Sequence, residues 1–130
     1  MSAETTSAQD APTTDDAVPW MNEVRLVGRV SGEPEERSLP SGDVVVLFRL
    51  VVRRHPRGRT APGRGAAKGP AVDTLDVACW AGRPRRAALR LHDGDGAEVT
   101  GALHRRFYRA GGGAASRYEV AATTVARVRR

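Results

Sequence analysis

Flat aromatic rings set among arginines are the residues here whose types could do chemistry. Trp80 and Tyr108 close two alternating segments, and Phe107 stands beside Tyr108 on the opposite side of the same alternation. The cations gather in two places: Arg49, Arg53, Arg54, Arg57, Arg59, Arg64 and Lys68 in one stretch, and Arg105, Arg106 and Arg109 in another. A guanidinium stacks on ring faces and pairs with phosphate in a planar fork, so this set suits attraction and stacking on a long polyanion. Trp80 and Tyr108 also fit a second use, as packing residues at a contact between subunits.

The elements that must hold these residues read as strands. Val44 to Val52 is an apolar, β-branched run of the kind that forms a buried strand, with Phe48 at a core position. Asp73 to Trp80 alternates, with Leu75, Val77 and Cys79 on one face and Thr74, Asp76, Ala78 and Trp80 on the other. Between them Arg53 to Val72 carries six cations, no acid and repeated Gly and Pro. It offers too little apolar surface to offset the entropy of ordering, and a mobile loop is expected.

Either side of this hairpin the pattern continues. Asn22 to Val30 alternates as a half-buried strand with Val24, Leu26, Gly28 and Val30 inward, and Gly28 suggests a bulge or bend. Ser31 to Asp43 contains two turn signals with room for a short strand between them. Ala81 to Asp95 suits one short helix starting near Pro84 and ending at the turn Asp93-Gly94-Asp95-Gly96. Its Arg85, Arg86 and Arg90 read as a solvated face. Ala97 to Arg109 is a strand with Val99, Gly101 and Leu103 inward, Ala110 to Ser116 a flexible hairpin loop, and Arg117 to Val128 a last strand with Tyr118 in the core. The expected fold is all-β: a five-stranded OB-fold barrel with one short helix between the third and fourth strands.

Charge divides the chain. The 130 residues carry a formal net charge of +6, yet residues 1–20 hold four acids and no cation. Residues 21–130 therefore set all 21 cations against 11 acids, a net +10 that points to nucleic acid or another anionic surface. Residues 1–20 are read as a disordered acidic extension and 21–130 as the folded domain. The single cysteine, Cys79, excludes an internal disulfide framework and falls on an inward face, where a thiol acts as a small hydrophobe. With no long apolar run and no leader-like start, the expected location is cytoplasmic, with no membrane partner.

Enzymatic readings find little support. Gly63-Arg-Gly65-Ala-Ala-Lys-Gly69 has neither dinucleotide nor P-loop spacing. Asp93-Gly-Asp-Gly96 lacks the other ligands of a calcium loop. His55, His92 and His104 are scattered over a loop, a turn and a strand. No cofactor, metal site or catalytic group is expected.

These segments resemble the bacterial single-stranded DNA-binding proteins of the homotetrameric type. Asn22-Glu-Val-Arg-Leu-Val-Gly-Arg-Val30 is similar to that family's opening strand, and Gly32-Glu-Pro-Glu-Glu-Arg37 to its continuation. Pro40-Ser-Gly-Asp through Phe48-Arg-Leu50, Asp76-Val-Ala-Cys-Trp80 and Gly101-Ala-Leu-His-Arg-Arg-Phe-Tyr108 match the next three strands. The resemblance implies stacking of bases on Trp80 and Tyr108 and sequence-independent binding and protection of single-stranded DNA in replication, recombination or repair. It implies a homo-oligomer, a tetramer or dimer. The mechanism agrees with the residues: a cationic path with aromatic platforms tracks roughly 4–16 nucleotides per OB fold.

The sequence also departs from that family. The aromatics usual in the mobile hairpin and at the start of the third strand are replaced near His55-Pro56 and Thr74, so arginine stacking is expected to take up part of their role. The chain closes on Arg127-Val-Arg-Arg130 in place of the family's acidic tip, so no recruitment of repair enzymes through such a tip is expected. The alternative function is an OB-fold interaction or RNA-binding protein of the same descent with weak affinity for single-stranded DNA.

Overall fold

The computed structural model describes residues 17–55 and 71–129. It shows β1 (Val24–Ser38), β2 (Val44–Arg53), β3 (Val72–Cys79), α1 (Gly82–Leu89), β4 (Gly96–Ala110) and β5 (Gly113–Val128). The strands close into a barrel in the order β1-β2-β3-β5-β4, antiparallel throughout except where β5 meets β3. This is the expected five-stranded arrangement, helix included.

Closure depends on β1 serving two neighbours. Val24–Arg29 pairs with β4, and Arg29–Ser38 pairs with β2. The strand bends at a register irregularity between Ser31 and Glu35, not at Gly28. The expected turn at Gly-Glu-Pro, with a short strand after it, is therefore one continuous bent strand. Gly28 has another role: a Cβ there would run into the Val51 carbonyl oxygen, because β2 crosses close beneath. Gly101 answers the same need against the Ala121 carbonyl, beside a bulge in which Thr123 has no rung partner and donates from Oγ1 to the Thr100 carbonyl at 3.0 Å. The second turn signal is real, with Leu39 and Asp43 bonded across it.

The core follows the alternation. Val30, Val46, Phe48, Leu50, Val77, Cys79, Ala97, Val99 and Val120 are buried together, with Ala88 and Leu91 from α1 and the turn after it closing one end. Cys79 is fully enclosed, and burial pushes its thiol up to about 12. α1 presents Pro84 and Ala88 inward and leaves Leu89 exposed.

Two expectations fail where β4 and β5 outrun the barrel. Beyond Leu103 and Val120 these strands pair only with each other, down to a tight turn at Gly111 and Gly112. The expected Ala110–Ser116 loop is thus mostly strand. The side of this ribbon that would continue into the core has nothing to cover it among the described residues, so Leu103 is 48% and Tyr118 60% exposed. Asn22 braces the root: its side-chain amide donates to the Leu103 carbonyl (2.9 Å) and accepts from the Leu103 N–H (2.8 Å), adding one rung to the β1–β4 ladder.

Candidate nucleic-acid interface

Directly opposed residues of an antiparallel pair share a face, so the β4–β5 register sorts the hairpin's side chains into two sets. One set holds Arg106 opposite Arg117, His104 opposite Glu119, and Tyr108 opposite Ala115. It looks toward β2 and β3. There Arg117 donates from Nη1 to Asp76 (3.3 Å) and lies over the Tyr108 ring, 5.7 Å from its centroid. Arg49, paired with Asp76 across the β2–β3 ladder, approaches the same carboxylate at 3.8 Å.

Together these side chains wall a groove with a cavity of about 290 Å³, bounded by Arg37, Leu47, Arg49, Asp76, Arg106, Arg117 and Glu119 and by the bend of β1. Its floor holds a pair unlike the others. Glu119 is 3% exposed, and its Oε1 lies 3.6 Å from Arg106 Nε. The remaining pairs of the groove are open to water, where such contacts contribute about 0–1 kcal/mol.

Trp80 follows Cys79 at the end of β3 and stays half-buried. Arg85 pins its backbone, donating from Nη1 to the carbonyls of Trp80 (3.1 Å) and Val44 (3.2 Å). Arg85 therefore has a structural task, in place of the solvated face expected of it. By strand alternation Trp80 lies on the side of Asp76, four residues and about 13 Å along β3. Trp80, Arg49, Arg106 and Tyr108 thus belong to one side of the sheet.

The second hairpin set faces away. Arg105 is opposite Tyr118, and Phe107 is opposite Ser116. The Arg105 guanidinium sits 5.0 Å from the Phe107 centroid and 5.4 Å from that of Tyr118, with Nε donating to Ser116 Oγ at 3.2 Å. Arg109, opposite Ala114, is on this side as well. Phe107, Arg105 and Arg109 are therefore separated from Tyr108 by the thickness of the ribbon.

Two more of the sequence candidates stand at the end of β2. Arg53 lines a second cavity, of about 600 Å³, with Arg29 and Val27. Arg54 is held by Asp73 at 3.2–3.3 Å, and that hydrogen bonding, with the attraction of the carboxylate, raises its guanidinium above the ordinary value. Arg57, Arg59, Arg64 and Lys68 lie outside the described residues, as does residues 1–16 of the acidic extension. Sequence reasoning missed Arg117, Asp76 and Glu119 as site residues. Folding the last two strands across Gly111-Gly112 would have set Arg117 against Arg106.

No group of His, Cys, Asp and Glu side chains among the described residues is arranged to hold a metal ion, and no helix among them is long and apolar enough to cross a membrane.

The closed five-stranded barrel, with one short helix between β3 and β4 and a protruding β4–β5 hairpin, is an OB fold. The chain matches the single-strand binding protein family over residues 21–128 and belongs to it. Its fold is similar to that of the Plasmodium falciparum SSB solved in complex with ssDNA, at TM-score 0.66 and 20% identity over 85% of this chain and 97% of that one. It is also similar to a deletion mutant of the Thermus aquaticus single-stranded DNA binding protein, at TM-score 0.65 and 18% identity, covering 84% of this chain and 51% of that one. Comparison with curated proteins gave no match.

Proposed function

We propose that this protein binds single-stranded DNA with little regard to sequence, laying the strand along the side of the sheet that runs from Trp80 past Arg49 to Tyr108. The observation that carries this reading is the cluster of Arg117, Arg106 and Arg49 around one groove, with the Tyr108 ring against Arg117 beside it. A base that stacks on Tyr108 takes the ring face from Arg117, and the released guanidinium stands ready for the adjacent phosphate. Trp80 offers a second platform, and Arg53 with the cations of the following segment extends the phosphate track. The protein does no bond-breaking chemistry in this reading. It coats and protects strands exposed in replication, recombination or repair, in the cytoplasm with the chromosome.

Titrating intrinsic fluorescence with oligo-dT, oligo-U and duplex DNA at one salt concentration tests the reading. Tight binding of oligo-dT with weak binding of the duplex is expected. Preference for oligo-U would favour the RNA-binding alternative, and weak binding to all three would favour an interaction protein.

Self-association, as a dimer or tetramer, is part of the same proposal. The backbone of Val24–Gly28 pairs with β4 on one side and with no described strand on the other. Exposed Val27, Leu103, Phe107 and Tyr118 add apolar surface that a solitary subunit would leave in water. Sedimentation giving a monomer at micromolar concentration would refute it.

A further inference from the structure

The chain approaches β1 through an apolar run. Val18, Trp20 and Met21 stand outside any ladder, with Trp20 77% and Met21 82% exposed. The edge of β4 that continues past β1 is open as well. The Asn22 side-chain amide bonds both backbone polar groups of Leu103, so these point to the β1 side. Strand alternation aims the N–H and C=O of Arg105, Phe107 and Arg109 the same way, and no described strand meets them. Unpaired backbone of this kind is a template for one more strand.

We propose that residues 16–21 dock on this edge as a continuation of β1 in the same chain, a strap that makes the ribbon three-stranded. The ladder already in place sets the register. Val24 lies opposite Gly101 and Arg25 opposite Thr100. Carried outward, Asn22 meets Leu103, Trp20 meets Arg105, Val18 meets Phe107 and Asp16 meets Arg109. The Asn22 backbone takes over the rung that its side chain now fills, so no hydrogen bond is lost at Leu103. Each residue suits its place. Trp20 falls on the side where the Arg105 guanidinium lies against the Phe107 and Tyr118 rings, and adds a third ring to that cluster. Val18 covers the exposed Phe107, and Asp16 brings a carboxylate to Arg109. Pro19 has no N–H to give, and in this register its nitrogen faces away from β4, the position an edge strand tolerates. A slip of one residue would aim Pro19 at the ladder and turn Trp20 to the opposite side. Ala17, opposite Tyr108, is small and leaves that ring open. A third strand is what an isolated two-stranded ribbon lacks. The strap claims the Phe107 side for the chain itself, which leaves Val27 and Leu103 at the root for contact between copies.

Hydrogen exchange followed by NMR on the full chain, without nucleic acid, tests the register amide by amide, whether or not the protein binds DNA. The wild type is compared with Val18→Pro and Ala17→Pro, both of which lie outside the barrel and leave its core untouched. The Arg105 and Phe107 amides face the open edge and should exchange about tenfold more slowly in the wild type than in Val18→Pro, the protection given by a strap docked about nine-tenths of the time. They should still exchange faster than amides inside the barrel. Ala17→Pro removes an N–H that faces away from β4 and should keep the protection. Nuclear Overhauser contacts from the Trp20 indole to the Arg105 and Phe107 side chains should appear within one chain when labelled and unlabelled protein are mixed. Contacts found only between chains would assign the strap to a second copy and overturn the intrachain docking. Equal exchange in all three proteins, or equal loss of protection in both proline variants, would overturn the proposal.

Discussion

Of the acids that line the groove, Glu33, Glu35, Asp76 and Glu119, Asp76 is the one that holds both Arg117 and Arg49, and its removal should give a gain of function rather than a loss. In Asp76→Asn the carboxylate that now holds Arg117 at 3.3 Å and Arg49 at 3.8 Å becomes a neutral amide of the same shape. At these separations Coulomb attraction in water is about 1 kcal/mol per pair. All three side chains are at least a third exposed, which brings the measurable value to about 0.2–1 kcal/mol each. Stability should therefore fall by less than about 2 kcal/mol. Affinity for oligo-dT should rise by a similar amount, roughly threefold to thirtyfold at low salt. The sharper readout is the salt slope. Removing one negative charge from the path steepens log affinity against log salt by roughly 0.7, the contribution of one phosphate on a single strand. Titrations at four or five salt concentrations measure both quantities. Asp43→Asn, at the turn before β2, removes the same formal charge away from the groove and serves as the control. Unchanged affinity and slope in Asp76→Asn, or equal gains in both variants, would refute the placement of the DNA path.

Other perturbations address the remaining parts. Trp80→Ala and Tyr108→Ala should each cost roughly 1–3 kcal/mol of binding in a folded protein, and Trp80 emission, followed in a Trp20→Phe background, should quench on binding. Intact affinity in either variant would make that side chain structural. Replacing Arg57, Arg59, Arg64 and Lys68 together with Ser should flatten the salt slope by roughly 3 and weaken all sequences equally, and an unchanged slope would remove this segment from the interface. The Cys79 thiol, raised by burial to about 12, stays protonated at pH 8 in the folded state but falls to about 8.5 in the unfolded chain. A thiol reagent at pH 8 should therefore label it only in denaturant, while prompt labelling of native protein would contradict the closed barrel. Because the thiol ionises more readily once unfolded, it should contribute to a loss of stability as pH rises above about 8.5.

The order of strands and the place of the helix were legible because the strands are either continuous apolar, β-branched runs, as in Val44 to Val52, or alternating segments, as in Asp73 to Trp80, set between turn signals. Leu103 and Tyr118 broke the reading for a physical reason. Their alternation is correct, but the barrel ends before they do, and periodicity shows which side a residue faces without showing whether anything covers it. Gly28 and Gly-Glu-Pro were misread for a related reason. A glycine kept for close backbone approach looks the same in sequence as one kept for a bulge, and a bend within a strand looks like a turn between two. At the proposed interface, Trp80, Arg49, Arg106 and Tyr108 could be named as candidates because rings and cations announce their chemistry. The acids Asp76 and Glu119 were not, because their importance lies in which arginines they face, and only the register of paired strands reveals that.

The hairpin beyond Leu103 and Val120 has the mechanics of a free two-stranded ribbon, and such ribbons are marginal without a third strand or a packed face. Its amides should exchange with solvent faster than those of the same strands inside the barrel, with the boundary at the Asn22 brace. Tyr108 on one surface and Phe107 with Tyr118 on the other share this single backbone, one residue apart. Whatever stiffens one surface lowers the entropy still to be lost when the other is engaged, so occupancy of the two sides should be cooperative without any change of shape. Hydrogen exchange along His104–Arg109, measured with and without a bound strand, reports that coupling directly.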